Sequence, residues 1–422
     1  MSPRVAARRI SRWWQGVRRW SRSVGLRGAV FGLSACLAVA AVRLGVPGSP
    51  AVGLAVTLAI TTCLVVHACL ALGRAYAFAL VAALGAELLL VESAPELAVE
   101  AFVIGIAAVA FAGQCDRRTC VLRAALRVAV VGACVGAVAV ILNRPSDAGA
   151  VLLAAAGGPM LGAAMSIIVG PLLERAFGHA TRLTLNEWLS YEHPLLQRLM
   201  SAAPGTFQHS VNVGLFANAA ADAIGADGLL ARVGGLYHDV GKMRAPEFFI
   251  ENQTGANPHD GLAPSVSARI LRSHVTDGVD LVTAHHMGER ILDFVREHHG
   301  SGLMRLLQAK AEALGEATSA DTYSYPGPPP QSRETGLVMI ADQVEATARA
   351  APPVDDVACV DVVHRTAARI QQEGQLSASG LDSADLTTAE EAIARAVRAM
   401  YHRRLAYPAT ASSTTPEVEA NS

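Results

Sequence analysis

The sequence predicts an all-α protein in two unlike parts: a polytopic helical membrane domain of about six spans, followed by an all-helical soluble domain. Three observations predict it. Up to about residue 173 the chain is dominated by Ala, Val, Leu and Gly with very few acids, whereas from about residue 180 charged residues recur at ordinary density. The early part breaks into apolar stretches of bilayer-spanning length. The later part places apolar residues at helical spacing and offers no convincing alternating strand pattern. The net charge of −1 and the mean hydropathy of +0.33 average over both parts, so neither identifies a partner.

Residues 1–27 carry eight Arg and no acid, with Trp13, Trp14 and Trp20 interleaved. That pattern reads as a basic cytoplasmic segment lying on an anionic lipid surface. The hydrophobic runs that follow at once argue against a nucleic-acid polymer as partner and against a cleaved leader. Within a membrane domain at 28–173, spans are expected at 28–46, 51–73, 75–92, 97–113, 124–142 and 150–173, each near the ~17–25 residues a bilayer requires. The N-terminal Arg cluster, Arg74, Arg117-Arg118 and Arg175 fall on one side, opposite Pro47-Gly48, Glu92 to Glu96 and Asn143 to Asp147. Positive residues stay inside, which puts both ends in the cytoplasm. His67 and Glu87 are ionisable groups within spans and therefore functional candidates. Gly157-Gly158 and Gly162-Ala163-Ala164 suit close helix packing or a homodimer. No two of the seven cysteines form a CxxC, so no disulfide framework is expected, and Cys115 and Cys120 read as two small reduced thiols.

A helical connector is expected at 174–204, with Leu185, Trp188, Leu189, Leu195, Leu196 and Leu199 as its apolar stripe, ended by Pro204-Gly205. The soluble domain follows at 205–405, with helices predicted at 210–224, 229–238, 265–273, 278–284, 289–298, 302–313, 334–350, 355–373 and 388–405. Between them, 322–331 with its run Tyr325-Pro326-Gly327-Pro328-Pro329-Pro330 reads as a rigid extended insertion, and 406–422 as a disordered polar tail.

The chemistry centres on His238-Asp239, at the end of the apolar run 229–237. Adjacent residues on a helix point about 100° apart, so the imidazole can hold one metal while the carboxylate turns toward a second. His209 lies upstream, and His274, His298-His299 and Asp342 downstream. Any one of these histidines alone would more often be a surface or hydrogen-bonded core residue. Together, five imidazoles and two carboxylates exceed what one ion with an open position uses, and they suit two divalent metals bridged by Asp239. Asp342 ends the apolar run Leu337 to Ala341, where a carboxylate has to be paired or metal-bound. His285-His286 is a competing double histidine. The later pair is preferred because an amphipathic helix with Ile291, Leu292, Phe294 and Val295 delivers it and Gly300 ends it. His193, His259, His285, His286, His364 and His402 read as non-ligands. Lys242, just after the doublet, can act as a point charge on a phosphate.

These residues resemble a known family. Gly205-Thr206-x-x-His209-Ser210, Tyr237 to Lys242, Glu247 to Gln253, Asn257 to Asp260, Ser273-His274-Val275-x-Asp277-Gly278, Glu297 to Gly300 and Tyr325 to Pro328 are similar, in order, to the HD-superfamily metal-dependent phosphohydrolases. More narrowly they resemble the membrane-bound seven-transmembrane HD proteins, the PgpH-like phosphodiesterases of bacterial cytoplasmic membranes. The resemblance implies an all-helical HD phosphohydrolase domain with two divalent ions, iron or manganese, that hydrolyses cyclic di-AMP to linear pApA. Carried over by motif, His209, His238, Asp239 and Asp342 would hold one ion, and Asp239, His274, His298 and His299 the other. In such a site two cations lower the pKa of a water, whose attack on phosphorus displaces the 3′ oxygen in line. Tyr323 and Tyr325, in the Pro-rich insertion, would form a lip over an adenine by stacking.

One departure stands out. Family members place a large extracellular domain after a first membrane helix, and none is legible here, so the resemblance carries the chemistry but not ligand sensing outside. Two other readings keep part of the picture: an HD hydrolase of cyclic di-GMP or a nucleoside phosphate, and a membrane sensor that binds nucleotide without turnover. The complete ligand set weighs against the sensor, and mixed His and carboxylate ligands leave the metal open between iron, manganese, nickel and zinc.

Overall fold

Regular structure in the computed structural model is helical, and among the described residues (32, 50–90, 95–113, 115–177, 180–316 and 318–401) no strand forms. A lone bridge pairs Leu303 with Ser324. The chain divides into two compact units, one running to Ala202 and including Thr276–Asp293, the other comprising Ala203–Val275 and the chain from Phe294 onward. The basic segment 1–27, the span at 28–46 apart from residue 32, and the tail 406–422 fall outside the described residues.

In the first unit, α1 (Pro50–Leu72), α2 (Arg74–Leu90), α3 (Pro95–Ala112), α4 (Arg118–Asn143) and α5 (Ala148–Phe177) stand where five spans are expected. Four of them, α1, α3, α4 and α5, are long and apolar enough to cross a membrane. The 17 residues of α2 reach about 26 Å at 1.5 Å per residue, short of a ~30 Å hydrocarbon core. Leu58, Val65, Leu84, Leu88 and Ile104 fill the interior, while Leu126, Ile141, Leu153 and Ile168 stay exposed on α4 and α5. Helices apolar on both faces match a lipid solvent. Where α5 crosses α1 the backbones nearly touch: a Cβ on Gly162 would lie 2.1 Å from the Ala59 carbonyl oxygen, and one on Gly158 2.7 Å from that of Ala55. The glycine pairs read from the sequence thus form an intrachain helix contact.

Cys115 and Cys120 correct the reading of two separate thiols, because they are joined as a disulfide. The turn between α3 and α4 brings their Cα atoms to 5.3 Å, inside the range a disulfide bridges, and a five-residue spacing alone does not reveal such a turn. The stretch 174–204 is the end of α5 followed by α6 (Arg182–Trp188) and α7 (Pro194–Ala202). Thr181 caps α6, and Glu187 accepts from Arg118 at 2.6 Å.

In the second unit, α8 (Pro204–Ala223) packs against α9 (Gly228–Tyr237), α14 (Arg333–Ala350) and α16 (Ser383–Tyr401). Val213, Phe216, Ala217 and Ala220 form its buried face. Asp227 caps α9 through the Leu230 N–H at 3.1 Å, and a Ser332–Thr335 capping box starts α14. Short 3₁₀ turns at Val240–Arg244, Pro246–Phe248, Ile250–Asn252 and Pro258–Gly261 carry the chain to α10 (Pro264–Ala284). The break expected before Gly278 is absent: α10 runs through it, since one helical glycine costs only about 1 kcal/mol and Val275, Leu281 and Val282 continue the buried stripe. Then follow α11 (Glu289–Glu297), α12 (Arg305–Ala313), α13 (Ala320–Tyr323), and, after α14, α15 (Asp356–Gln372).

Candidate metal centre

Each ligand-type side chain is delivered by the end or buried face of a helix. His238 closes α9, His274 lies on α10, and His298 follows α11 directly. In all three, Nδ1–H donates to the carbonyl three residues back: Gly235 at 2.7 Å, Leu271, and Val295 at 3.0 Å. The bond fixes the ring orientation and turns Nε2 inward, where it can ligate once unprotonated. His209, on α8, has its Nδ1 held instead by Glu345 of α14. The helices come together closely enough because Gly235 of α9 meets Gly214 of α8, where a Cβ would lie 2.8 Å from the Gly214 Cα.

Asp239 sits at the middle of these imidazoles and uses its two oxygens differently. Oδ2 faces His209 Nε2 at 3.5 Å and His238 Nε2 at 3.1 Å. Oδ1 faces His274 Nε2 at 3.4 Å and His298 Nε2 at 3.5 Å. Asp342 Oδ1 lies 3.1 Å from His209 Nε2 and 3.7 Å from His238 Nε2. Two ligand groups result, His209, His238, Asp239 and Asp342 in one and Asp239, His274, His298 and His299 in the other, each with ligand atoms within 4.8 Å of one another. Ligand bonds of about 2.0–2.2 Å put neighbouring donor atoms about 3–3.5 Å apart around an ion, which is the spacing seen here. His238 Nε2 and Asp239 Oδ1 are buried without a hydrogen-bond partner among the described residues, as atoms available to an ion would be. The donor set therefore fits two divalent metals.

Electrostatics divide the histidines. Burial pushes His274 down to about 3 and outweighs the nearby Asp239, and burial together with His298 holds His299 well below its ordinary value. Both are neutral and ready to ligate. Burial opposes charge on His209 and His238 as well, but hydrogen bonds and charge from Asp239 and Asp342 raise His209 well above its ordinary range and His238 to about 9. The metal-free imidazolium–carboxylate contact of His238 thus stabilises the fold fully below pH 6.5 and is lost as pH rises through about 9. An ion must displace that proton. Apparent metal affinity is expected to rise with pH across this window, and loading at pH 7 to release about two protons, from His209 and His238. Calorimetry in buffers of different ionisation enthalpy reads that number, and a proton-neutral titration would contradict it.

Sequence reasoning missed the supports. Glu345 lies one helical turn beyond Asp342 on the same buried face of α14, a second carboxylate in an apolar helix that could have been flagged. Besides His209 it accepts from Asn212 at 3.2 Å and Arg349 at 3.3 Å. Replacing it by Gln is expected to weaken metal binding at the His209 group by about 10–100-fold and spare the other, read by competition with a fluorescent chelator. Equal losses at both would contradict that role. Lys242 touches Asp239 Oδ2 at 2.7 Å and Glu251 at 2.9 Å, and Thr206 donates to Glu251 at 3.0 Å. Burial works against its charge, but Asp239 and Glu251 raise its pKa above the ordinary lysine value. Lys242 is therefore a fixed cation beside the shared carboxylate.

The two tyrosines part company. Tyr325 stacks on His299, centroids 4.0 Å apart and planes at 26°, held by its N–H to Gly302 at 2.9 Å. Gly327 lets the loop lie against α11, since a Cβ there would be 2.0 Å from the Arg296 carbonyl oxygen. Tyr323, expected beside it on the lip, is instead fully buried among Ala268, Ala311 and Leu307. It is the last residue of α13, so the extended insertion begins only after it. His285 and His286 follow α10 in the first unit, where His285 Nδ1 bonds to the Leu281 carbonyl at 2.8 Å, and His259 Nε2 bonds to the Phe248 carbonyl at 3.0 Å.

Comparison with known proteins adds a family and relatives. Residues 206–347 match the HD domain family. The cyclic-di-AMP phosphodiesterase PgpH of Bacillus subtilis (strain 168) is 34% identical over 314 residues, 72% of this chain and 44% of that protein. Its namesake in Listeria monocytogenes serotype 1/2a (strain 10403S) is 32% identical over 69% of this chain and 42% of that protein. The chain thus spans less than half the length of these curated relatives. The crystal structure of the L. monocytogenes PgpH HD domain in complex with cyclic-di-AMP is 34% identical to 51% of this chain, is covered completely, and superposes with a TM-score of 0.48.

Proposed function

Because the chain carries an HD domain and is homologous to the PgpH cyclic-di-AMP phosphodiesterases, we propose that it is a membrane-anchored, metal-dependent phosphodiesterase that opens cyclic di-AMP to linear pApA. The observation that carries this reading is the division of Asp239, with one oxygen toward His209 and His238 and the other toward His274 and His298. That arrangement supports two ions sharing one carboxylate. When bound, such ions polarise phosphoryl oxygens and bring the pKa of a water near neutrality.

The chain's own residues do the rest. His209 and His238 are held in place by Glu345 and the Gly235 carbonyl, which fixes the ligand geometry before substrate arrives. Lys242 keeps Asp239 ionised, and its ammonium would offset phosphate charge beside the ligand groups. Burial pushes the Tyr325 hydroxyl above its ordinary pKa, so it stays protonated at neutral pH, and the half-buried ring, stacked on His299, offers an aromatic platform for a base. Tyr325→Ala is expected to raise KM for the dinucleotide about tenfold with kcat changed less, a base-stacking loss of the size seen for single aromatic platforms. An unchanged KM would remove Tyr325 from the substrate site.

The four apolar helices and the charge asymmetry of the loops support a cytoplasmic-membrane location, with the HD domain inside and the exposed faces of α4 and α5 in lipid. The test is product analysis on the full chain in nanodiscs, loaded with iron or manganese and given cyclic di-AMP and cyclic di-GMP in parallel. Linear product from the adenine substrate alone supports the reading down to the base. Equal cleavage of both keeps the reaction and removes the specificity, and no cleavage with metals bound favours a sensor.

A further inference from the structure

Where α3 begins and α4 ends, the first unit has an open pocket of about 370 Å³, within the size range of small-molecule sites. Leu54, Leu97 and Val151 give it apolar walls, and Glu96, Glu100 and Asn143 also line it. Arg144 closes α4 in a left-handed turn (φ 45°), which leaves Asn143 Nδ2 donating to Glu96 at 3.0 Å. Glu100 is only 7% exposed, and its Oε2 has no hydrogen-bond partner among the described residues. The two carboxylates stand one helical turn apart on α3, where like charges repel.

A buried carboxylate with an unpartnered oxygen is costly, and a cation held between Glu100 and the exposed Glu96 would relieve it. Two carboxylates set among the apolar walls of Leu54, Leu97 and Val151 suit a cation that carries a hydrocarbon body. The geometry points to a binding site for an organic ammonium: a positively charged amine on Glu100 and Glu96, with an alkyl or aryl group against Leu54, Leu97 and Val151. The same ammonium chemistry is offered by a free amine and by an aminophospholipid headgroup. This site is separate from the metal centre and does not depend on the reaction proposed for it.

The test is fluorine NMR of 4-fluorophenethylamine with the full chain in phosphatidylcholine nanodiscs, read against empty discs, with the neutral 2-(4-fluorophenyl)ethanol as control. The amine is expected to bind saturably and at least about tenfold tighter than the alcohol, the scale of a charge-assisted hydrogen bond. Glu100→Gln is expected to erase that difference. Ala139→Phe, which fills the cavity and leaves both carboxylates, is expected to abolish amine binding and carries the test if Glu100→Gln does not fold. Competition by phosphatidylethanolamine in the disc assigns the site to the headgroup, and its absence assigns it to a free amine. Equal binding of amine and alcohol, no saturable binding, or undiminished binding in both variants would overturn the inference.

Discussion

Asp239→Asn is expected to reduce the proposed cyclic di-AMP turnover by three orders of magnitude or more, roughly 4 kcal/mol of lost transition-state stabilisation, and to lower the metal content of the purified chain. The change keeps size and shape but removes the charge that both ligand groups share. Asn offers one carbonyl oxygen, so one of the two faces now occupied by Oδ1 and Oδ2 loses its ligand. It also leaves Lys242, 2.7 Å away, without one of its two carboxylates, so a modest loss of thermal stability accompanies the loss of activity. Elemental analysis and product chromatography on the same sample read both effects. A variant that retains full metal content and turnover would remove Asp239 from the bridge.

The second large effect lies under the site. The rings and helices that carry His238-Asp239 and His298-His299 meet at Gly234, whose absent Cβ would stand 2.4 Å from the Phe294 ring. Phe294 is fully buried and has nowhere to move without carrying α11 and the second histidine pair with it. Gly234→Val is therefore expected to destabilise the chain by about 3 kcal/mol, the upper end for overpacking in a close-packed core, and to weaken metal binding at the His274–His298–His299 group more than at the other. Thermal unfolding and chelator competition check the two halves. Wild-type stability would mean that the contact between α9 and α11 yields easily.

Local signals made much of this legible. A histidine–aspartate doublet at the end of an apolar helix, a double histidine before a glycine, and an acid in an apolar run each state a physical conflict that a bound metal would resolve. The structure brings those five side chains, together with His209 and His274, into two groups around Asp239. The all-helical class was legible for the same reason, since 3.6-residue periodicity persists through the second unit. What escaped depends on how segments return to one another. Glu345 supports His209 from 136 residues away; Tyr323 and Tyr325 differ only by where α13 ends; the Cys115–Cys120 pair depends on a turn whose tightness no spacing records; and Gly278, a helix breaker by propensity, is overruled by burial on both sides.

The central claim is that two ions act together across Asp239. Its most direct test strips the full chain in nanodiscs with chelator, returns manganese or iron in measured equivalents, and follows cyclic di-AMP hydrolysis at each addition. The two-ion account predicts little turnover through the first equivalent and a rise that reaches its plateau at the second. Turnover that climbs from the first addition and saturates at one equivalent would contradict it.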